Sequence, residues 1–290
     1  MTALTALVTD EVSQPVDPQV SLLAQHLADQ YGTASRAVLF YGSCLREQQL
    51  DGLMLDFYLI VSDYPSAYQK RWLRAANRLI PPNVFPFAAG GLAAKYAVLS
   101  EADFAALNQA GASSVSVWAR FAQPTRLVWS ADDAARTRAI EAVSQAAPTL
   151  LSLARPLVPN SQALDAWRVG FAQTYKAELR AERTDRSGSI VDADPARYAQ
   201  FSAAVPSAAF PLSAASAQAR WKKLQRHGKW LSVLRLAKAS VTFSGGIDYL
   251  AWKINRHAGT KIEIRPWQRR WPLIAALTLV PKLLRSGAVR

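Results

Sequence analysis

Hydrophobic and polar residues follow two different periods along the start of the chain. The stretch SLLAQHLADQYG has apolar residues three and four positions apart, which predicts an amphipathic helix that ends before Gly32. The stretches RAVLFYGS and LMLDFYLIV are instead nearly continuous runs of branched and aromatic residues, and they are predicted to be strands. A turn at Gly42 and Ser43 closes the first of them. A helix followed by two strands indicates the start of a sheet domain.

The same alternation continues to residue 150. PSAYQKRWLRAANRLI has apolar residues at helical spacing and is predicted to form one helix. AKYAVLS and PTRLVWS are predicted to be short strands, one on each side of a helix, DFAALNQAG. This mixture predicts an α+β fold, with a sheet domain over residues 1–150.

The remainder of the chain has a different character. TRAIEAVSQAAPTLLSLARPLV and ALDAWRVGFAQTYKAELRAER are mostly helical in pattern. DRSGSIVDADPARYAQFSAAVPSAAFPLSAASA is rich in Ala, Ser and Pro, and it is predicted to be an irregular connector. From Arg220 the chain becomes basic and aromatic. We therefore predict a helical segment with a connector over 151–219 and a basic helical segment over 220–290.

Composition and charge narrow the class of protein. Of the 290 residues, 50% are hydrophobic and 19% charged, as in folded proteins. The single cysteine, Cys44, excludes a disulfide framework within the chain. The N-terminal stretch has no pattern of a secretory signal, and no stretch reaches the roughly 20 apolar residues of a membrane span.

Positive charge is concentrated at the C-terminal end. Residues 1–220 contain 19 Lys+Arg and 19 Asp+Glu, whereas residues 221–290 contain 15 Lys+Arg against only Asp248 and Glu263. The whole net charge of +13 therefore comes from the last 70 residues. Such a field attracts nucleic acid, an anionic membrane or a polyphosphate substrate.

Asp56 stands within the apolar strand LDFYLIV. An unpaired carboxylate among aliphatic side chains is costly, so a positive partner is expected. That partner is either a metal ion or an arginine such as Arg46. The turn at Gly42 and Ser43, placed shortly before the strand, favours the metal ion.

The spacing between this turn and this acid resembles that of polymerase-β-like nucleotidyltransferases. In that superfamily Gly-Ser starts a helix whose N–H groups hold triphosphate oxygens, and an acid–hydrophobe–acid sequence about ten residues later binds Mg²⁺. Here ten residues separate Gly42-Ser43 from Met54-Leu55-Asp56. Asp56 fills the second acid position, and Met54 replaces the first.

One family of that superfamily is resembled more closely. The chain is similar to phosphatidate cytidylyltransferases of the mitochondrial translocator-maintenance type, in which GSG…MLDF occupies these two elements, with Cys44 here in place of the second Gly. Further patches follow in the family's order between about residues 38 and 256. VSDYPSAYQ has the family's aspartate as Asp63, and AKYAVLS is similar to Lys-Tyr-Gly-Val, with Ala97 for Gly. VSVWARFAQPTRLVW is similar to Tyr-x-x-Gly-Arg-x-x-Lys-Pro-Val with only Pro124 and the apolar frame retained, the family's Arg and Lys being counted as missing. LRLAKASVTFSGGIDYLAWKINRHAG resembles the closing segment through Lys238, Thr242, Gly245, Tyr249 and Lys253.

The resemblance implies a Mg²⁺-dependent reaction at the α-phosphate of CTP. An oxygen of phosphatidate or a related lipid phosphate attacks, pyrophosphate leaves, and a CDP-lipid forms. Asp56 would be the Mg²⁺ ligand, Gly42 and Ser43 would hold the β and γ phosphates, and Lys95 would bind the nucleotide. The alternative role of Lys95 is to cap a strand edge.

Three basic residues are implied at the phosphates: Lys238 as a catalytic cation, and Arg235 and Lys253 as phosphate binders. On the predicted helix LSVLRLAKASV, Leu231, Leu234 and Ala237 form an apolar stripe, and Arg235 and Lys238 lie on another face. The alternative for each cation is an ordinary solvated basic face.

Mg²⁺ usually takes more than one protein oxygen. Asp51, Glu101 and Asp103 are candidates for a second ligand, and a solvated surface position is the alternative for each.

The segment 265–290 ends the chain with a mostly apolar run between clusters of arginine and tryptophan on one side and Lys282 and Arg285 on the other. It is predicted to lie in the headgroup layer of a membrane, which would place the protein at the cytoplasmic face as a peripheral enzyme. The alternative is a core helix with basic ends.

Two other functions stay open. The same fold could transfer a nucleotide to a soluble acceptor such as a sugar, an antibiotic or a tRNA end. With Met54 in the first acid position, it could also be a degraded transferase that only binds nucleotide. Nucleic acid is a less favoured partner, because the apolar run in 265–290 would then have no purpose.

Overall fold

A computed structural model describes residues 2–47, 50, 53–159, 162–178, 190–206, 212–242 and 265. Within these residues the chain forms one five-stranded mixed sheet with helices packed on both of its faces. The α+β prediction is confirmed.

Helices account for most of the described chain, and none of those described is both long and apolar enough to cross a membrane. They are α1 (Ala3–Val12), α2 (Pro18–Asp29), α3 (Ser43–Glu47), α4 (Tyr64–Ala67), α5 (Arg71–Leu79), α6 (Glu101–Asn108), α7 (Trp118–Phe121), α8 (Asp133–Ser144), α9 (Ala146–Ala154), α10 (Ala163–Ala177), α11 (Pro195–Ala204) and α12 (Ala214–Thr242).

The sheet brings together strands that are far apart in the chain. Its strands are β1 (Ser35–Tyr41), β2 (Met54–Val61), β3 (Asn83–Ala89), β4 (Leu92–Ser100) and β5 (Thr125–Ser130). They lie in the order β3-β4-β2-β1-β5, with β2 and β4 parallel and the other neighbours antiparallel. Because β1 and β2 are antiparallel, the turn after β1 lies beside the start of β2.

Alternate side chains of β2 enter two different cores. Phe57 and Leu59 belong to the core that contains α2, while Tyr58 and Ile60 belong to the core that contains α1 and α8. Asp56 lies two positions before Tyr58 and therefore shares its face. The strand register places Asp56 beside Tyr41 of β1 and Lys95 of β4. The acid thus lies near the start of its strand, with a tyrosine and a lysine on either side.

Four strands predicted from the sequence are confirmed as β1, β2, β4 and β5, while β3 and α1 were not predicted. The single helix predicted around residues 65–80 is two helices. Asp63 caps α4 by accepting a hydrogen bond from the Ser66 N–H at 2.8 Å, and Tyr68 has extended backbone angles that separate α4 from α5. Asp63, one of the residues matched to the family, therefore begins a helix.

The core continues across the boundaries predicted after residues 150 and 219. Both positions lie within helices, α9 and α12 respectively. The rings of Trp118 and Trp221 pack together with centroids 6.0 Å apart, in one buried cluster that contains residues of all three predicted units.

The prediction of an irregular connector is wrong for α11. Asp194 caps this helix by accepting from the Arg197 N–H at 3.0 Å. The indole N–H of Trp167 donates to the Tyr198 carbonyl and to the Ser202 hydroxyl, at 3.0 and 2.8 Å. Residues Pro195–Ala204 of this stretch therefore form a short, capped helix with one buried face.

A buried ion pair joins α1 to α11. Arg197 donates to both carboxylate oxygens of Glu11, with Nη2–Oε1 at 3.0 Å, and to the Ala122 carbonyl at 3.1 Å. Its guanidinium also lies over the rings of Tyr198 and Phe201. Burial alone would lower the pKa of Arg197, but Glu11 outweighs it and holds that pKa above the ordinary value. The charges are tolerated because each is paired and hydrogen-bonded.

Candidate functional site

The glycine turn after β1 is in direct contact with Asp56. Gly42 has a φ of +99°, a backbone conformation that favours glycine. A Cβ at this position would lie 2.9 Å from Oδ2 of Asp56. The Asp56 carboxylate therefore lies against the Gly42 backbone, and Ser43 starts α3 immediately afterwards. The structure brings together three of the residues that the sequence predicts at one site.

The positive partner of Asp56 among the described residues is Lys95. Its Nζ lies 3.0 Å from Oδ1 of Asp56, and the two residues are direct neighbours on the parallel strands β2 and β4. Their side chains are 27% and 18% exposed, so water still reaches both. The sequence suggests either a metal ion or a guanidinium such as that of Arg46. The partner seen is an ammonium.

A magnesium ion would find one carboxylate here. Among the residues that the structure describes, no group of three His, Cys, Asp or Glu side chains could hold a metal ion. Met54 offers no oxygen side chain, and Asp51 lies outside the described residues. Because Mg²⁺ can bind through one carboxylate, water and substrate phosphates, Asp56 fits an ion that arrives with a nucleotide.

The other two candidate ligands lie at the opposite end of the sheet. Glu101 pairs with Arg138, with Nε–Oε1 at 2.9 Å, and Asp103 accepts a hydrogen bond from the Tyr64 hydroxyl. Both follow the end of β4, which continues five residues beyond Lys95 to Ser100. At about 3.3 Å per residue they lie roughly 16 Å or more from Asp56. The prediction of Glu101 or Asp103 as a second ligand beside Asp56 is therefore wrong.

A second group of polar side chains continues from Asp56 on the same face of the sheet. The rings of Tyr41 and Tyr58 pack with centroids 5.3 Å apart. Burial, followed by the charge of Asp56, raises the pKa of Tyr41. Burial also raises the pKa of Tyr58, against the opposing influence of Arg120 and Arg235. Both phenols therefore stay neutral and can donate hydrogen bonds.

Arg120 of α7 lies next to these tyrosines. It donates to the Ser116 carbonyl, and its Nη1 lies 3.2 Å from Oε1 of Glu178, just after α10. Burial tends to lower its pKa, but Glu178 and the two tyrosines hold the pKa of Arg120 well above its usual value. The side chain still keeps 31% of its surface exposed. Arg120 is therefore a charged group in a deep position that solvent can reach.

Arg235 and Lys238 extend from α12 toward the protein. Nε of Arg235 donates to the Pro81 carbonyl at 2.8 Å. Nζ of Lys238 donates to the Pro82 carbonyl at 2.7 Å and also to that of Ile80. Burial, followed by the charge of Arg235, lowers the pKa of Lys238 to about 7.

The solvated-face alternative is wrong for Lys238, which is 8% exposed, whereas Leu234 of the predicted apolar stripe is 44% exposed. Lys238 is buried because the backbone carbonyls of Ile80 and Pro82, just before β3, accept hydrogen bonds from its ammonium group.

The predicted residues therefore fall into three groups. Gly42, Ser43, Asp56 and Lys95 meet at one corner of the sheet. Arg235 is held at the loop before β3 by the Pro81 carbonyl, and its charge influences the pKa of Tyr58. Lys238 contacts the loop before β3, and Lys253 lies outside the described residues.

Sequence reasoning missed Tyr41, Arg120 and Glu178. One signal for Arg120 was present. The family segment has its arginine four residues before the proline, and Arg120 stands four residues before Pro124. Among the described residues, Lys95 pairs with Asp56, and Arg120 pairs with Glu178. We call the group formed by Gly42, Asp56, Lys95, Tyr41, Tyr58, Arg120 and Glu178 the polar cluster. The donors of its two cations and two phenols suit an anionic ligand.

Comparison with known proteins gives a limited result. No protein-family model matches the chain, and no curated protein matches it in sequence. Among solved structures, the chain is similar to a nucleotidyltransferase-like protein from Exiguobacterium sibiricum 255-15, with 12% sequence identity over 92% of each chain and a TM-score of 0.30. A TM-score of that size does not establish a shared fold.

Proposed function

We propose that the protein is a CTP-dependent cytidylyltransferase that converts phosphatidate or a related lipid phosphate to a CDP-lipid and pyrophosphate. The observation that supports a nucleotidyltransferase is the contact between the Asp56 carboxylate and the Gly42 backbone, with Ser43 next in the chain. The lipid phosphate and the cytosine base rest on the sequence resemblance. The cations Lys95 and Arg120 of the polar cluster suit a reaction between two anionic substrates.

In the proposed reaction a phosphate oxygen of the acceptor forms a bond to the α-phosphorus of CTP. The bond from that phosphorus to the bridging oxygen of the β-phosphate breaks, and pyrophosphate leaves with the electron pair. No oxidant or reductant is needed. The protein aligns two anions and offsets their repulsion, which is how proteins accelerate phosphoryl chemistry.

Residues of the corner would hold the triphosphate. Backbone N–H groups of Gly42 and Ser43 would bind its oxygens, and Lys95 would exchange its contact with Asp56 for one with a phosphate. Asp56 would hold Mg²⁺, whose bound charge neutralises the triphosphate and the leaving pyrophosphate. Arg235 and Lys253 would bind phosphate groups on the α12 side. Lys238, predicted from the sequence as a catalytic cation, is instead held by the Ile80 and Pro82 carbonyls and would support this side of the site.

Membrane contact is proposed through 265–290, which would place the protein peripherally at the cytoplasmic face of a membrane. Removing this segment should weaken binding to anionic vesicles while leaving turnover of a short-chain soluble substrate largely unchanged. Flotation of both proteins with vesicles measures the first effect. Full vesicle binding by the shortened chain would contradict this role.

A screen of pyrophosphate release tests the function. The full chain is supplied with Mg²⁺, each of the four nucleoside triphosphates, and either phosphatidate or a soluble acceptor such as a sugar, an antibiotic or tRNA. We expect release with CTP and phosphatidate, and a loss of about 100-fold or more in Asp56→Asn. Asp192→Asn is the matched control, because Asp192 forms an ion pair with Arg168 outside the polar cluster. Release only with a soluble acceptor would replace the lipid proposal.

A nucleotide-binding protein without activity is the second candidate. Met54 in the first acid position and the pairing of Asp56 with Lys95 favour it, because both reduce the negative charge available to a metal ion. Binding of CTP by calorimetry without pyrophosphate release, over all acceptors tested, would favour this candidate over the enzyme.

A further inference from the structure

We propose that the exposed faces of α5 and α12 form one docking surface for an anionic lipid bilayer. This surface belongs to the described part of the chain and is separate from the segment 265–290. The inference goes beyond the proposed function, because binding of a bilayer at this surface requires neither a nucleotide nor turnover.

Large apolar side chains on both helices face solvent. On α5, Trp72 and Leu79 are seven positions apart and therefore lie on one face, opposite the buried Asn77. On α12, Trp230 and Leu234 are four positions apart and share a face. Leu79 is 76% exposed and Trp230 is 71% exposed. Both helices thus keep bulky apolar groups in contact with water.

Hydrogen bonds hold the end of α5 against α12. Nζ of Lys238 donates to the Pro82 carbonyl at 2.7 Å and also to the Ile80 carbonyl. Leu79 directly precedes Ile80 in the chain, and Leu234 lies one turn before Lys238. The exposed leucines of the two helices therefore lie near each other. Single exposed apolar residues are common, but several at one place mark an interaction surface.

Positive charge surrounds these apolar side chains. α5 contains three arginines, α12 contains seven lysines and arginines, and neither helix contains an acid. The sequence has no Asp or Glu over residues 64–100 or 195–247. Arg78 and Arg226 are exposed and lie within about one turn of Leu79 and Trp230 respectively. The surface is therefore apolar and basic at once.

An anionic bilayer is the partner that uses both properties. Tryptophan and leucine enter the boundary between headgroups and acyl chains, while arginine and lysine contact the lipid phosphates. A nucleic acid would use the cations but would leave the leucines in water. A second copy of the chain would bring like charges together across the interface.

Flotation of the full chain with vesicles tests the apolar part of the surface. The probes are vesicles of phosphatidylcholine alone and of phosphatidylcholine mixed with phosphatidylglycerol. The double variant Leu79→Ser with Trp230→Ser should bind the anionic vesicles about tenfold more weakly or worse, because two large side chains no longer leave water. Leu22→Ser is the matched control, since Leu22 is 54% exposed on α2, a helix without Lys or Arg, and its replacement should leave vesicle binding unchanged.

A second double variant, Arg78→Gln with Arg226→Gln, tests the cations. Each cation near an anionic membrane contributes about fivefold to affinity, so the pair should weaken binding about 25-fold at low salt and much less at high salt. Arg138→Gln is the matched control, because Arg138 is exposed on α8 but pairs with Glu101. Thermal unfolding checks that each variant keeps its fold, which is expected because all the substituted side chains are exposed.

Vesicle binding at wild-type affinity by either double variant would overturn the surface, and so would an equal loss in Leu22→Ser. Two other results would assign the surface to a different partner. A wild-type dimer that becomes a monomer in Leu79→Ser with Trp230→Ser, with vesicle binding unchanged, would assign it to a second copy of the chain. Loss of tRNA binding in that variant, with vesicle binding unchanged, would assign it to nucleic acid.

The proposed function is judged separately, by pyrophosphate release with CTP and a short-chain soluble phosphatidate, which needs no bilayer. If the wild type releases no pyrophosphate but both double variants lose vesicle binding, the function fails and the surface stands. If pyrophosphate is released and both double variants bind vesicles as the wild type does, the surface fails and the function stands.

Discussion

Replacement of Gly42 by alanine should damage the corner in two ways. The residue has a φ of +99°, which a side chain rarely adopts, and its new Cβ would lie 2.9 Å from Oδ2 of Asp56. Gly91, in the turn between β3 and β4, has a φ of +80°, and a Cβ added there would meet nothing within 4 Å. Gly91→Ala therefore reproduces the backbone strain without the contact.

The magnitudes follow from these two positions. Alanine in a left-handed conformation costs about 1–2 kcal/mol, which both variants share. In Gly42→Ala the Asp56 carboxylate must also move, and its ion pair with Lys95 is partly exposed, so its loss adds only about 1 kcal/mol or less. We expect a decrease of the unfolding free energy of roughly 1–2 kcal/mol for Gly91→Ala and of roughly 2–3 kcal/mol for Gly42→Ala.

Urea unfolding followed by circular dichroism measures stability, and calorimetry with CTP measures binding. Gly42→Ala should lose CTP affinity by about tenfold or more, because the turn that would bind phosphate is displaced, whereas Gly91→Ala should bind as the wild type does. Equal CTP affinity of the two variants would refute the assignment of the corner as a nucleotide site. Equal stability would show that the Asp56 side chain does not contact the turn.

Two further substitutions test charges buried in the fold. Glu11→Ala leaves Arg197 buried without its carboxylate and should cost about 3–5 kcal/mol in urea unfolding, whereas replacing both, with Glu11→Leu and Arg197→Met, should recover most of that loss. The pKa of Lys238 is about 10.5 in the unfolded chain and about 7 in the folded protein. Between these two pH values the unfolded chain binds one more proton than the folded protein, so the unfolding free energy rises with pH. From pH 6 to pH 9 the unfolding free energy should rise by at most about 2–3 kcal/mol, because the two carbonyls that accept from Nζ partly favour the charged form. The rise should be absent in Lys238→Met. An equal pH dependence of stability in both proteins would contradict the burial of a charged lysine here.

Local patterns in the sequence predicted the elements but not their neighbours. The runs of branched and aromatic residues located β1 and β2, and with them the position of Asp56 in a strand. β3 was missed because Pro86 interrupts its pattern, and the structure places β3 at the edge of the sheet, where proline is tolerated. The edge position depends on the whole sheet and cannot be read from one segment.

The partner of Asp56 was missed for a similar reason. Lys95 lies 39 positions later in the chain, and only the parallel register of β2 and β4 makes the two residues neighbours. The orientation of α12 could not be predicted either. A helical pattern shows which residues share a face, but it does not show that the carbonyls of Ile80 and Pro82 contact the basic face of this helix. Arg120 could have been found from its distance to Pro124.

The ion pair between Glu11 and Arg197 has a consequence for synthesis on the ribosome. The two residues are 186 positions apart, so at about 5–20 residues per second the arginine is made roughly 10–40 s after the glutamate. During that interval Glu11 of the nascent chain cannot form its ion pair, because Arg197 has not yet been synthesised. Completion of this part of the domain must wait for translation to pass α11.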